Sequence, residues 1–272
     1  MFDLSSSWVE GRCCELAEFG YSRDKKRGVR QIEYGLLTDG QGRPVAIRVF
    51  PGNTSDTKSF IDAVSIAQEN FGLQEITMVG DRGIITNARI TELRSCAGMD
   101  WITALRAPAI AAVASDDGPL QRSLFDTQNF AEITHTDYPG ERLICCRNPA
   151  LADQRARTRQ ELLAATDLAL ATIAVRVRNR TLRRVEDISV TVGKIMNKYK
   201  MAKHFIHEIT ETTFDYHRDQ EQIDAEARLD GIYVIRTSRD AESLDTTGVI
   251  TAYKNLAYAV HQQRHQLLVG GQ

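Results

Sequence analysis

Apolar residues alternate with polar ones in two neighbouring stretches of the chain: Ile32, Tyr34 and Leu36, then Val45, Ile47 and Val49. A period of two places each set on one face of a strand. Between them Asp39-Gly40-Gln41-Gly42-Arg43-Pro44 is dense in turn formers, so the pattern predicts a hairpin with a loop of several residues. Met1 to Trp8 reads as a strand ahead of it. Pro51-Gly52-Asn53 stops the hairpin, and Thr54 to Asp56 offers N-cap candidates for a helix running to about Phe71, with Phe60, Ile61, Val64 and Ala67 as its apolar stripe. Ile76, Met78 and Val79 form a short buried strand. A helix from about Thr86 to Cys96 follows, with Ile90 and Leu93 inward, and Trp101 to Leu105 is the next strand. The predicted order is β-β-β-α-β-α-β, a mixed sheet with helices packed on its faces. In the usual topology of this order the first and fourth strands lie side by side.

Beyond Ala107 the alternation weakens. Ala107 to Arg147 reads as loops and short strands, and Leu151 to Val177 as a long helix. Ile188 to Val192 and His204 to Thr213 alternate as strands do, around the basic stretch GKIMNKYKMAKH. Gln220 to Leu229 reads as helix, Gly231 to Arg236 as strand, and Ser243 to Tyr258 as a closing helix. The expected organisation is a first core segment at 1–106, an α+β insertion at 107–229, a return to the core at 230–258, and a tail at 259–272.

Composition narrows the function classes only slightly. A 42% hydrophobic and 26% charged chain of 272 residues suits a globular protein with a sizeable core. No apolar run reaches membrane-spanning length and no leader peptide is legible, so the expectation is a cytoplasmic protein with no membrane partner. The five cysteines lack CxxC spacing, which fits free thiols. Net charge is −2, yet Arg155 to Lys203 holds twelve basic residues against four acidic, a local +8 that leaves −10 elsewhere. Such polarity suits either a solvated helical face or a phosphate backbone.

The strand at 76–79 breaks into Asp81, Arg82 and Gly83 where it would leave the sheet. Sites in open α/β sheets sit at that edge; an aspartate there also serves as a plain turn or helix cap. A phosphate-cradling GxxxxGK[ST] loop, a GxSxG elbow and an HExxH pair are all absent. His204 and His207 read as surface residues rather than metal ligands.

FDLSSSWVEG, FGYSRDKKRGVRQIEYGLLTDGQGRPVAIRVFPGNTSD, VGDRG, DWITALRAP and LDGIYVIRTS, in this order, resemble the DDE transposases of bacterial insertion sequences, in the subgroup with a long insertion in a ribonuclease H-like core. The resemblance runs from about Phe2 to Tyr258. It implies an α/β, ribonuclease H-like mixed sheet with helices on both faces. It also implies catalytic, metal-holding aspartates at Asp3 and Asp81, and Mg2+ or Mn2+ as cofactor, two ions in an intact member. Paired carboxylates on neighbouring strands suit such ions, which two-metal sites use to clamp both oxygens of a phosphoryl displacement. Implied partners are double-stranded DNA at the element's ends and a second copy in a homodimer. Arg23 and Arg82, beside the expected site, and Lys194, Lys198, Lys200 and Lys203 are the expected phosphate contacts.

The family's third acid is a glutamate on a helix after the insertion. Tyr253-Lys254-Asn255-Leu256 begins that element, but Val260 occupies the glutamate's place and only two residues precede Asp3. The expectation is a fragment truncated at both ends, with two of three acids and no strand cleavage. The alternatives are a DNA-binding or dimerising remnant, or an active magnesium nuclease using Glu226, Glu242 or Asp245 as a substitute.

Overall fold

The computed structural model describes residues 1–21, 28–54, 62, 64, 68, 72–115 and 118–256, with Arg122 by its backbone alone. The helix expected to run to Phe71 lies outside the described residues except at a few positions, and the tail at 259–272 lies outside them entirely. In chain order the strands are β1 (Phe2–Trp8), β2 (Gln31–Thr38), β3 (Pro44–Pro51), β4 (Ile76–Val79), β5 (Met99–Ala104), β6 (Phe130–Ile133), β7 (Arg142–Arg147), β8 (Phe205–Ile209), β9 (Phe214–Arg218) and β10 (Ile232–Thr237). The helices are α1 (Asn87–Ser95), α2 (Ala107–Val113), α3 (Pro149–Arg178), α4 (Val185–Tyr199), α5 (Gln220–Arg228) and a closing α6 over 246–256.

Two compact units divide the chain: 1–146 with 233–272, and 147–232. In the first, β1, β2 and β3 make an antiparallel sheet in that order, and β4-β5-β10-β7-β6 makes a second, mixed sheet in which β4 and β5 are parallel. Residues 107–146 therefore supply two strands, β6 and β7, to the mixed sheet. The expected ladder between the first and fourth strands does not form, because β1 and β4 belong to different sheets. Side-chain packing joins them instead. Phe2 and Leu4 of β1 share a buried cluster with Met78 of β4, and Met1 shares another with Val79.

Those two clusters are the two faces of an α/β sandwich. Successive strand residues point to opposite sides. Met78 and Trp101 accordingly pack with Ile90 and Leu93 of α1, while Val79 and Ile102 pack with Val249, Ile250 and Leu256 of α6. Helices thus cover both faces of the mixed sheet, which is the ribonuclease H-like α/β architecture.

The unit at 147–232 has its own core. Leu163, Leu170, Ile173 and Val177 of α3 meet Ile188, Val192 and Met196 of α4, with Phe205 and Phe214 from the β8–β9 hairpin. The stretch at 188–192, expected as a strand, is helix: Ile188, Val192 and Met196 recur every four residues and are buried, whereas Val190 is 57% exposed. Glu186 and Asp187 open α4 and Lys198 closes it, which suits the helix dipole.

Candidate active site

The VGDRG turn is shaped by its own aspartate. Oδ1 of Asp81 accepts the backbone N–H groups of Gly83 and Ile84, each at 2.8 Å, and its carbonyl accepts those of Ile84 and Ile85. This is the capping role an aspartate fills well. The two glycines permit it. A Cβ on Gly80 would stand 2.9 Å from Ile85 Cγ1, and one on Gly83 would stand 3.1 Å from Asp81 Oδ1. The turn returns Ile84 and Ile85 to the α1-side core, and Asp81 stays exposed at the sheet edge. Its Oδ1 is thereby fixed by two backbone donors. A carboxylate oriented in this way is a suitable cation ligand.

On β1 the buried residues are Phe2, Leu4 and Ser6, which leaves Asp3 half-buried on the other side of the strand, opposite Leu36 of β2. Asp81 lies past the end of β4, in the turn. Tyr253 of α6 packs against the cluster that holds Met1 and Val79. Burial raises its phenol above the ordinary value, the charge of Asp81 raises it further, and Arg82 opposes the shift.

Arg82 is exposed beside Asp81, and its carbonyl accepts a 3.2 Å hydrogen bond from Arg106. Sequence reasoning missed Arg106. The available signal was that β4 and β5 are parallel, so the residues ending them emerge at one sheet edge. Arg23 lies outside the described residues. Lys194, Lys198, Lys200 and Lys203 are all exposed, but they belong to the 147–232 unit. Lys200 contacts Asn197, and Lys203 is ion-paired with Glu226. His204 corrects the expectation of a surface histidine: it is 2% exposed, with Nε2 2.7 Å from Glu226 Oε2.

Two hard carboxylate ligands suit a divalent cation such as Mg2+. Among the described residues, however, no group of three or more His, Cys, Asp or Glu side chains could hold a metal ion. Nor do the suggested substitutes offer themselves. Glu226 is engaged by Lys203 and His204, and Asp245 accepts Gly248 N–H at the start of α6.

Beneath this edge a buried charge network ties the elements together. Glu141, with a fully buried side chain, receives Arg236 at 2.5 and 2.6 Å, Arg94 at 2.7 Å and the Trp101 indole at 3.2 Å. Arg236 also donates to Asn87, the first residue of α1, at 2.6 Å. The α1 N-terminus is thereby anchored just after the Asp81 turn.

Residues 11–142 match the family model described as Transposase DDE domain, a span that includes Asp81, Arg82 and Arg106 and excludes Asp3. No curated protein and no solved structure matches the chain. Among the described residues no helix is long and apolar enough to cross a membrane.

Proposed function

We propose, from the match of residues 11–142 to the transposase DDE domain model, that the chain is a DNA-binding transposase core, derived from an insertion sequence, whose strand-cleavage site lacks one acid. The observation that carries the reading is the VGDRG turn, in which two backbone donors hold the exposed Asp81 at the end of β4 and its charge reaches Tyr253 of α6. Asp3 and Asp81 are the residues that would hold a divalent cation. Such an ion, when bound, supplies charge stabilisation at a scissile phosphodiester. The backbone donors of Gly83 and Ile84 keep the Asp81 carboxylate oriented without further reorganisation. Arg82 and Arg106 flank it with cationic groups suited to a DNA phosphate.

The missing partner follows from the closing helix. In the resembled family the glutamate comes four residues after the leucine of the Tyr-Lys-x-Leu element, about one helical turn further on. Here that leucine is Leu256, packed beside Met1 and Val79, and the glutamate's position is Val260, outside the described residues. Valine contributes no ligand and no charge. Core segments on either side of the 147–232 unit complete the reading; the double-stranded element end is the substrate class and a homodimer the working assembly.

Plasmid nicking in Mg2+ or Mn2+ tests this. The parent chain is expected to nick no faster than Asp81→Ala, and Val260→Glu to raise the rate by about 10²-fold or more, as a recovered charge-stabilising group does. Metal-dependent nicking by the parent that Asp81→Ala abolishes refutes the inactive reading.

A further inference from the structure

The 147–232 unit contains an open groove of about 540 Å³ between α4 and the start of β8, and none of the residues lining it is acidic. Beneath it lie Val192 and Met196, buried as part of the unit's core. Its polar lining is Ser189, Asn197, Lys200, Lys203 and His207, each able to offer a hydrogen-bond donor or a positive charge, with Lys203 also ion-paired to Glu226. Gly193 opens the middle of the α4 wall: a Cβ built there meets nothing within 4 Å, so the helix backbone is accessible from the groove.

A second observation concerns Lys200. Three non-glycine residues in the described chain have left-handed backbone, Arg180, Arg184 and Lys200, and all three are cationic. Two of them bracket α4 as its N-cap and C-cap. At such a C-terminal position glycine or asparagine is the unstrained choice. Here the strained position instead carries a lysine whose Nζ lies 2.7 Å from Asn197 Oδ1 in the groove lining.

Resting on the DNA-binding reading above, we infer that this groove seats the sugar–phosphate backbone of duplex DNA, with phosphates against Lys200, Asn197 and His207. Charge complementarity selects the occupant: a lining that offers donors and no carboxylate suits a row of phosphates. The open position at Gly193 lets that backbone approach α4 closely. Another surface depression of the unit, lined by Asp219, Glu221, Asp224 and Arg228, has an acidic excess and suits the same ligand less.

Fluorescence anisotropy of the full chain with a labelled random-sequence duplex tests the inference, over salt from about 50 to 200 mM. Lys200→Gly removes the charge while relieving the backbone, so it is expected to melt no lower than the parent yet bind several-fold more weakly. The slope of log affinity against log salt should then be shallower by about 0.9, the share of one phosphate contact. Gly193→Glu, which has room for its side chain, is expected to weaken binding about tenfold or more by placing an anion among the phosphates. Arg155→Ala with Arg157→Ala, charge losses outside the groove, should cost less than Lys200→Gly for each charge removed. Parent-like affinity and slope in both groove variants, with the parent binding DNA, overturns the groove while leaving the transposase reading intact. Absence of any binding by the parent overturns both, and equal losses from the Arg155 and Arg157 changes overturn the groove in favour of diffuse attraction.

Discussion

Replacing Glu141 by glutamine should be among the costliest single changes in the 1–146 unit. The substitution keeps the side chain's shape and removes its charge, which leaves Arg236, only 8% exposed, facing an amide that presents its own donors. The carboxylate receives four hydrogen bonds from three side chains, two of them from Arg236. Breaking a buried pair from one side costs about 3–5 kcal/mol, against a total stability of about 5–15 kcal/mol. Arg94→Ala provides the comparison, because Arg94 touches the same carboxylate but is 41% exposed and should cost about 1 kcal/mol or less. Urea unfolding followed by tryptophan fluorescence reads both variants, since Trp101 is buried against this network and Trp8 is the only other tryptophan. Burial pushes the Glu141 carboxyl up, but Arg236, Trp101 and Arg94 outweigh it and hold the group below its ordinary value of 4.5. A carboxyl depressed in the folded state stabilises above its unfolded pKa and loses that contribution as pH falls through the folded one. The gap between parent and Glu141→Gln should therefore be full at pH 6 and narrow as pH drops below about 4.5. A cost under about 1 kcal/mol for Glu141→Gln, or an equal cost for Arg94→Ala, refutes the assignment of a strongly coupled buried pair.

Asp81→Ala should lower stability by about 1 kcal/mol through loss of the turn cap, whereas Asp81→Asn, which retains an acceptor, should lower it less; thermal melts distinguish them. Both changes should lower the Tyr253 pKa by removing the nearby negative charge, an effect visible in an ultraviolet phenolate titration and absent if the two side chains are remote. In the other unit, Leu170 is completely buried between α3 and α4, so Leu170→Ala should cost about 2–5 kcal/mol in a circular-dichroism melt. A loss below about 1 kcal/mol would mean the helical hairpin is not packed as described.

The hairpin, the strand ending before Asp81 and the long α3 were legible because each is a regular period bounded by strong turn residues. The α4 helix was not, and the reason is specific. In Asp187-Ile188-Ser189-Val190-Thr191-Val192 the apolar residues fall on every second position and are β-branched, which is the strand signature. Burial at every fourth position fits both readings over so short a window. Only Ile195 and Met196, one turn later, favour the helix, and the exposed Val190 is the apolar residue left over. His204 was misplaced for a different reason. Its burial depends on Glu226, 22 residues away, and no local pattern announces such a partner.

The candidate site was legible as residues. Asp81 could be read as a turn cap or as a metal ligand, and the cap is the part the fold displays: one oxygen serves the backbone of Gly83 and Ile84 while the residue stays exposed. β1 is joined to β4 through Met1 and Val79, two hydrophobic neighbours that share a cluster although their strands share no ladder, and α6 adds Leu256 and Tyr253 to the same cluster. On the reading proposed above, a glutamate about one helical turn beyond Leu256 supplies the third carboxylate, and the valine at that position supplies none. Val260→Glu is therefore the substitution expected to separate an inactive core from an active one, read as metal-dependent plasmid nicking.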